Sequence, residues 1–101
     1  MKNKKIIEIL GYKIKIKRTD LSQHGIYGCF MASNNEILID SSLKGDKLTE
    51  TLLHELFHAI CHYGGLKQAN LSHDLEEIGA EQVSTQFTKL FKIDFKWLFF
   101  T

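Results

Sequence analysis

Thr51-Leu52-Leu53-His54-Glu55-Leu56-Phe57-His58-Ala59-Ile60 decides how the rest of this chain is read. His54 and His58 are four residues apart, so on an α-helix they share one face about one turn apart. That spacing lets two imidazole nitrogens converge on one tetrahedral divalent metal. Glu55 is turned from His54 by about 100°, where it can reach a metal-bound water without being a ligand. In this H-E-x-x-H arrangement the metal acidifies the water and the Glu takes its proton.

The flanking residues support the metal reading over a helix with two surface histidines. With His54 at zero and about 100° per residue, Leu52, Leu53, Leu56, Phe57 and Ile60 fall between about 160° and 300°. Thr51, His54, Glu55, His58 and His62 fall between about 0° and 100°. A helix apolar on one flank and ligand-rich on the other belongs in a core with one face on a cleft.

At 101 residues the chain is expected to form a single α+β domain over 1–101. It is 44% hydrophobic and 25% charged, ordinary for a globular protein. A net charge of +1 gives no electrostatic case for a nucleic-acid partner. Lys2, Lys4 and Lys5 resemble a charged leader, but Ile6 to Leu10 is a short apolar run broken by Glu8, so no signal peptide is expected. No stretch approaches the roughly eighteen apolar residues of a membrane span. Cys29 and Cys61 are the only cysteines and imply no disulfide framework; both are expected as small core residues. A cytoplasmic location follows as the expectation.

Ile6–Leu10 and Tyr12–Lys17 read as two strands around Gly11, the second alternating apolar residues with Lys. Gly25–Met31 and Glu36–Asp40 read as a second hairpin around Ser33-Asn34-Asn35, with His24 solvated in the connection before it. The central helix is expected from Lys47 to Tyr63, capped by Asp46 or a neighbour and stopped by Gly64-Gly65. A second helix is expected from Asp74 to Lys92, with Leu75, Ile78, Val83, Phe87, Leu90 and Phe91 as its apolar stripe. The apolar tail Ile93–Phe100 is expected to fold back onto the domain, with a partner surface as the alternative.

A catalytic zinc commonly has three protein ligands and one open position. Cys61 and Gly64 stand where the metzincin pattern wants Gly and His, so the third ligand lies further on. His73, Asp74, Glu76, Glu77 and Glu81 are the candidates. Glu77 and Glu81 share a helix face, so Glu77 can bind the metal while Glu81 accepts the second ring N–H of a ligand histidine. Asp74-x-x-Glu77 also reads as a capping box, and Glu76 or Glu77 suits a helix start in any case.

Thr51–Ile60, followed by Glu76-Glu77-Ile78-Gly79-Ala80-Glu81, resembles the ImmA/IrrE family of zinc metallopeptidases in its short phage and prophage form. The resemblance covers roughly residues 48 to 92, the strands only loosely. It implies a minimal zincin-like fold, a small twisted sheet of three to four strands packed on the motif helix. It also implies Zn²⁺ on His54, His58 and Glu77, with Glu55 as general base, and a phage or host regulator as protein substrate in the host cytoplasm. Glu81 stands where many members carry Asn or Asp.

The expected activity is therefore zinc-dependent peptide hydrolysis, with His62, His73 and more weakly Tyr63 as candidate oxyanion donors. Glu36–Asp40 is expected as the outer strand along which a substrate adds. The rival is a metal-holding module that binds a regulator without cleaving it. Metal-dependent hydrolysis of RNA is disfavoured by the missing basic face.

Overall fold

The computed structural model describes residues 4–66 and 68–91. Lys67, the expected helix end at Lys92 and the apolar tail Ile93–Phe100 lie outside the described residues. Four strands precede two helices: β1 (Lys4–Ile9), β2 (Tyr12–Thr19), β3 (Gly28–Met31), β4 (Glu36–Asp40), α1 (Gly45–Tyr63) and α2 (His73–Phe91). The class is α+β, with a four-stranded mixed sheet.

β1 and β2 pair antiparallel across Leu10-Gly11, both at positive φ (51° and 87°), the two-residue turn whose twist suits a hairpin. The alternation in β2 buries Ile14, Ile16 and Arg18 on one face. β4 runs parallel to β2 and antiparallel to β3, giving the order β1-β2-β4-β3. Glu36–Asp40 is thus an interior strand, not the outer one expected; β3 forms the edge. The reason is burial. Ile37 and Ile39 are fully buried and Leu38 between them is partly covered, so both faces of β4 are shielded. The third strand is also shorter than expected, because Gly25 closes a 3-10 turn at positive φ before it.

Ile14, Ile16, Ile37 and Ile39 pack against Leu43, Leu48, Leu52 and Ala59, which lays α1 across the sheet. The link from β4 to α1 is held by buried polar groups. Arg18 Nη2 donates to the carbonyls of Ser41 (2.7 Å) and Leu43 (2.6 Å). Asp40 accepts from the Ser42 hydroxyl and from the Leu21 amide (2.8 Å), and these bonds hold its carboxyl below the usual carboxylate range. No side chain caps α1; Asp46 lies in the first turn instead, where the helix dipole favours it.

On α1, Leu48, Leu52 and Ala59 face the sheet, while Phe57 and His58 lie on the α2 side. Ile60 falls in the gap between these two arcs and is 47% exposed, against its expected burial. α2 packs on α1. Its start is capped by the Ser72 hydroxyl, which accepts from the Leu75 amide (3.1 Å), so Asp74 is not the cap. The expected apolar stripe of α2 is not its buried face: Leu75, Ile78, Phe87, Leu90 and Phe91 are exposed. The row turned inward is Glu76, Ala80, Ser84 and Thr88. Gly79 lets the helices approach, since a Cβ there would sit 2.7 Å from Phe57 Cζ.

Candidate metal centre

One helical turn separates His54 from His58 on α1, and their ring centroids are 4.9 Å apart. α2 crosses this face and brings three carboxylates to the two rings. Glu77 reaches both: its Oε1 is 2.8 Å from His58 Nε2, and its Oε2 is 3.5 Å from His54 Nε2. One nitrogen from each ring and one Glu77 oxygen lie within 4.8 Å of one another, a group that could hold a metal ion. Tetrahedral zinc with ligands at about 2.0–2.1 Å needs donor atoms about 3.3 Å apart; the donor types suit the ion, and the two histidine–Glu77 separations, 2.8 and 3.5 Å, lie near that value.

The outer nitrogens have their own partners. Glu81 Oε2 lies 3.4 Å from His54 Nδ1, at ion-pair rather than hydrogen-bond distance, from an exposed side chain. Glu76 accepts a hydrogen bond from His58 Nδ1, and it is 3% exposed. Sequence reasoning offered Glu76 only as an alternative ligand. Its place in the inward row with Ala80, Ser84 and Thr88 was the available signal, hidden because that row is small and polar.

Glu55 is buried beside the pair. Burial pushes its carboxyl above the usual range and the Glu77 charge adds to this, while His54 and His58 act in the opposite direction. Two cavities of about 300 and 440 Å³ meet at Gly28, His54 and Glu55. The first extends between Tyr27, Lys47, Glu50 and Ser84; the second between Phe30, His58, His62 and His73. Together they form a cleft floored by α1, with β3 on one side and α2 on the other. Gly28 lets β3 lie close to α1 at the point where the cavities meet, because a Cβ there would be 2.9 Å from Thr51 Cγ2.

The remaining sequence candidates divide. His62 and His73 both line the second cavity, and His73 is the first residue of α2 rather than part of a linker. Tyr63 stacks on Tyr12 (4.6 Å between ring centroids), donates its hydroxyl hydrogen to Asn35 Oδ1, and lines a third cavity instead. Asp74 is exposed and His24 is exposed in its 3-10 turn. Cys61 is fully buried as expected. Cys29 is not a core residue: it is partly exposed on the cleft, where burial and the Glu55 carboxylate push its thiol up. Among the described residues, no helix is long and apolar enough to cross a membrane. No family model matches the chain, and no match emerges among curated proteins or solved structures.

Proposed function

We propose that this chain is a zinc-dependent metallopeptidase with a zincin-like fold, of the kind the ImmA/IrrE family represents, acting on a protein substrate such as a phage or host regulator. The observation that carries this reading is the convergence of His54, His58 and Glu77, with buried Glu55 next in sequence to the first of them. Zinc held there supplies a Lewis acid that lowers the pKa of a water and polarises a peptide carbonyl.

The chain's own groups do the rest. Glu55 accepts the water's proton and returns it to the departing amine. Its carboxyl is raised by burial, the direction that suits a base working near neutral pH. An N–H of His62 or His73, both on the cavity beyond His58, serves the developing oxyanion. β3, an edge strand among the described residues, offers backbone groups to an extended peptide, which places residues on either side of the scissile bond in the two cavities.

Glu55→Gln tests this directly. The variant is expected to bind one zinc per chain, as wild type does, and to lose about 10²- to 10⁴-fold in hydrolysis of a peptide library. Wild-type rates in the variant overturn the role of Glu55. Zinc-loaded wild type that cleaves nothing, while retaining its biological effect in the Gln variant, makes binding rather than hydrolysis the function.

A further inference from the structure

Glu76 is the most deeply buried of the three carboxylates that α2 brings to the histidines. Glu77 and Glu81, its neighbours on the helix, are partly or largely open to water, whereas Glu76 is 3% exposed. A carboxylate taken out of water loses solvation worth several kcal/mol, and an apolar side chain of similar size would avoid that loss. The helix start offsets part of it, because Glu76 lies in the first turn of α2, where the dipole favours a negative charge. Nothing in that dipole argument requires the carboxylate to face inward, though. Asp74 occupies the same turn and remains exposed.

What the inward position gives is the bond to His58. Glu76 Oε2 accepts from His58 Nδ1, on the edge of the ring opposite the one that meets Glu77. A proton fixed on Nδ1 makes Nε2 the ring nitrogen available to a metal, on the edge that meets Glu77 Oε1 (2.8 Å). The same bond fixes the rotation of the ring. His54 has no comparable support: its Nδ1 faces an exposed Glu81 at 3.4 Å.

The geometry points to Glu76 as a positioning residue that presets the tautomer and orientation of His58 for metal binding. The inference rests on the metal reading above, and it assigns Glu76 a role distinct from ligation. It also separates the two carboxylates flanking the site: Glu76 is the permanent support, Glu81 the weaker one.

The test compares zinc affinity, measured by chelator competition, in wild type, Glu76→Gln, Glu76→Leu, Glu81→Gln and Glu77→Ala. Second partners of metal-bound histidines are worth about 10- to 100-fold in affinity. Glu76→Gln, which keeps an acceptor oxygen but not the charge, is expected near tenfold weaker and Glu76→Leu near a hundredfold. Glu81→Gln is expected to weaken binding less than Glu76→Gln. Chelator-treated protein gives the second readout: both Glu76 variants are expected to remain folded and to lose more zinc affinity than any change in metal-free melting temperature accounts for. In zinc-loaded wild type, ¹⁵N-edited NMR is expected to show a slowly exchanging His58 Nδ1–H that is lost in Glu76→Leu. A merely structural role predicts the reverse, a lower metal-free melting temperature with zinc affinity unchanged. Affinity within about twofold of wild type in both folded Glu76 variants overturns the inference. If Glu76→Leu fails to fold, Glu76→Gln decides by the same criterion. Wild type that binds no zinc, or Glu77→Ala that binds it at full strength, overturns the metal reading itself; zinc binding lost only in Glu77→Ala leaves that reading standing and removes the role of Glu76.

Discussion

α1 and α2 are each nineteen residues long, yet only α1 buries large apolar side chains. α1 sends Leu48, Leu52 and Ala59 into the sheet and keeps its histidines on the other face. α2 turns Glu76, Ala80, Ser84 and Thr88 inward and leaves Leu75, Ile78, Phe87, Leu90 and Phe91 exposed. The contrast follows from what each helix packs against. α1 meets a sheet face made of isoleucines, whereas α2 meets a face of α1 where His54 and His58 give carboxylates their partners and Phe57 leaves room only for Gly79.

The largest expected effect lies on the α1 side of this comparison. Leu52 is fully buried in the core, so Leu52→Ala removes apolar contacts and leaves a cavity. The expected loss is about 2–5 kcal/mol, read by urea denaturation of the metal-free protein. A loss under about 1 kcal/mol would mean that the sheet face of α1 is loosely packed, and the contrast with α2 would shrink.

The same contrast explains what the sequence made legible. The β1–β2 hairpin, the turn before β4 and α1 are local: alternation in Tyr12–Lys17, turn residues at Ser33–Asn35 and the 3.6-residue pattern around His54 each specify an element without reference to the others. The convergence of Glu77 on the histidine pair was readable in part: the i, i+4 pair calls for a third ligand, the sequence left His73, Asp74, Glu76, Glu77 and Glu81 open for it, and only the family resemblance singled out Glu77. The strand order was not readable. The parallel pairing of β2 with β4 depends on covering both faces of Ile37-Leu38-Ile39, a choice made at long range. Arg18 continues the buried row of Ile14 and Ile16 by alternation, but only the carbonyls of Ser41 and Leu43 explain why a guanidinium can occupy it. Periodicity misjudged α2 because it assumes that the inward face is the apolar one. Gly79 was the one local hint of the true face, a helix breaker tolerated where Phe57 presses close.

A middle-sized effect tests the small inward row. Ala80 is fully buried on α2, two turns before Thr88, and has no room for a longer side chain. Ala80→Leu is expected to destabilise the metal-free protein by about 1–3 kcal/mol through overpacking. It should also weaken zinc binding, because Glu77 travels with α2 when the helices are forced apart. Destabilisation with unchanged zinc affinity would sharpen the comparison in a different way, showing that the first turn of α2 holds its place independently of the turns that follow.

The smallest expected effect is the most demanding of the exposed face. Leu90 is 69% exposed, so Leu90→Ser gives up little buried area. What remains is the lower helix propensity of Ser, a few tenths of a kcal/mol, and the total should stay within about 0.5 kcal/mol. Leu52 and Leu90 are the same residue type in helices of equal length, so apart from the few tenths of a kcal/mol by which Ser is the poorer helix former, the two costs compare a buried leucine with an exposed one. Urea denaturation of both variants at the same protein concentration gives the ratio directly. If Leu90→Ser instead costs more than about 1.5 kcal/mol, the outer row of α2 is covered by something apolar and the two helices are alike after all. If that cost depends on protein concentration, the cover is a second molecule; if it does not, the cover comes from the same chain.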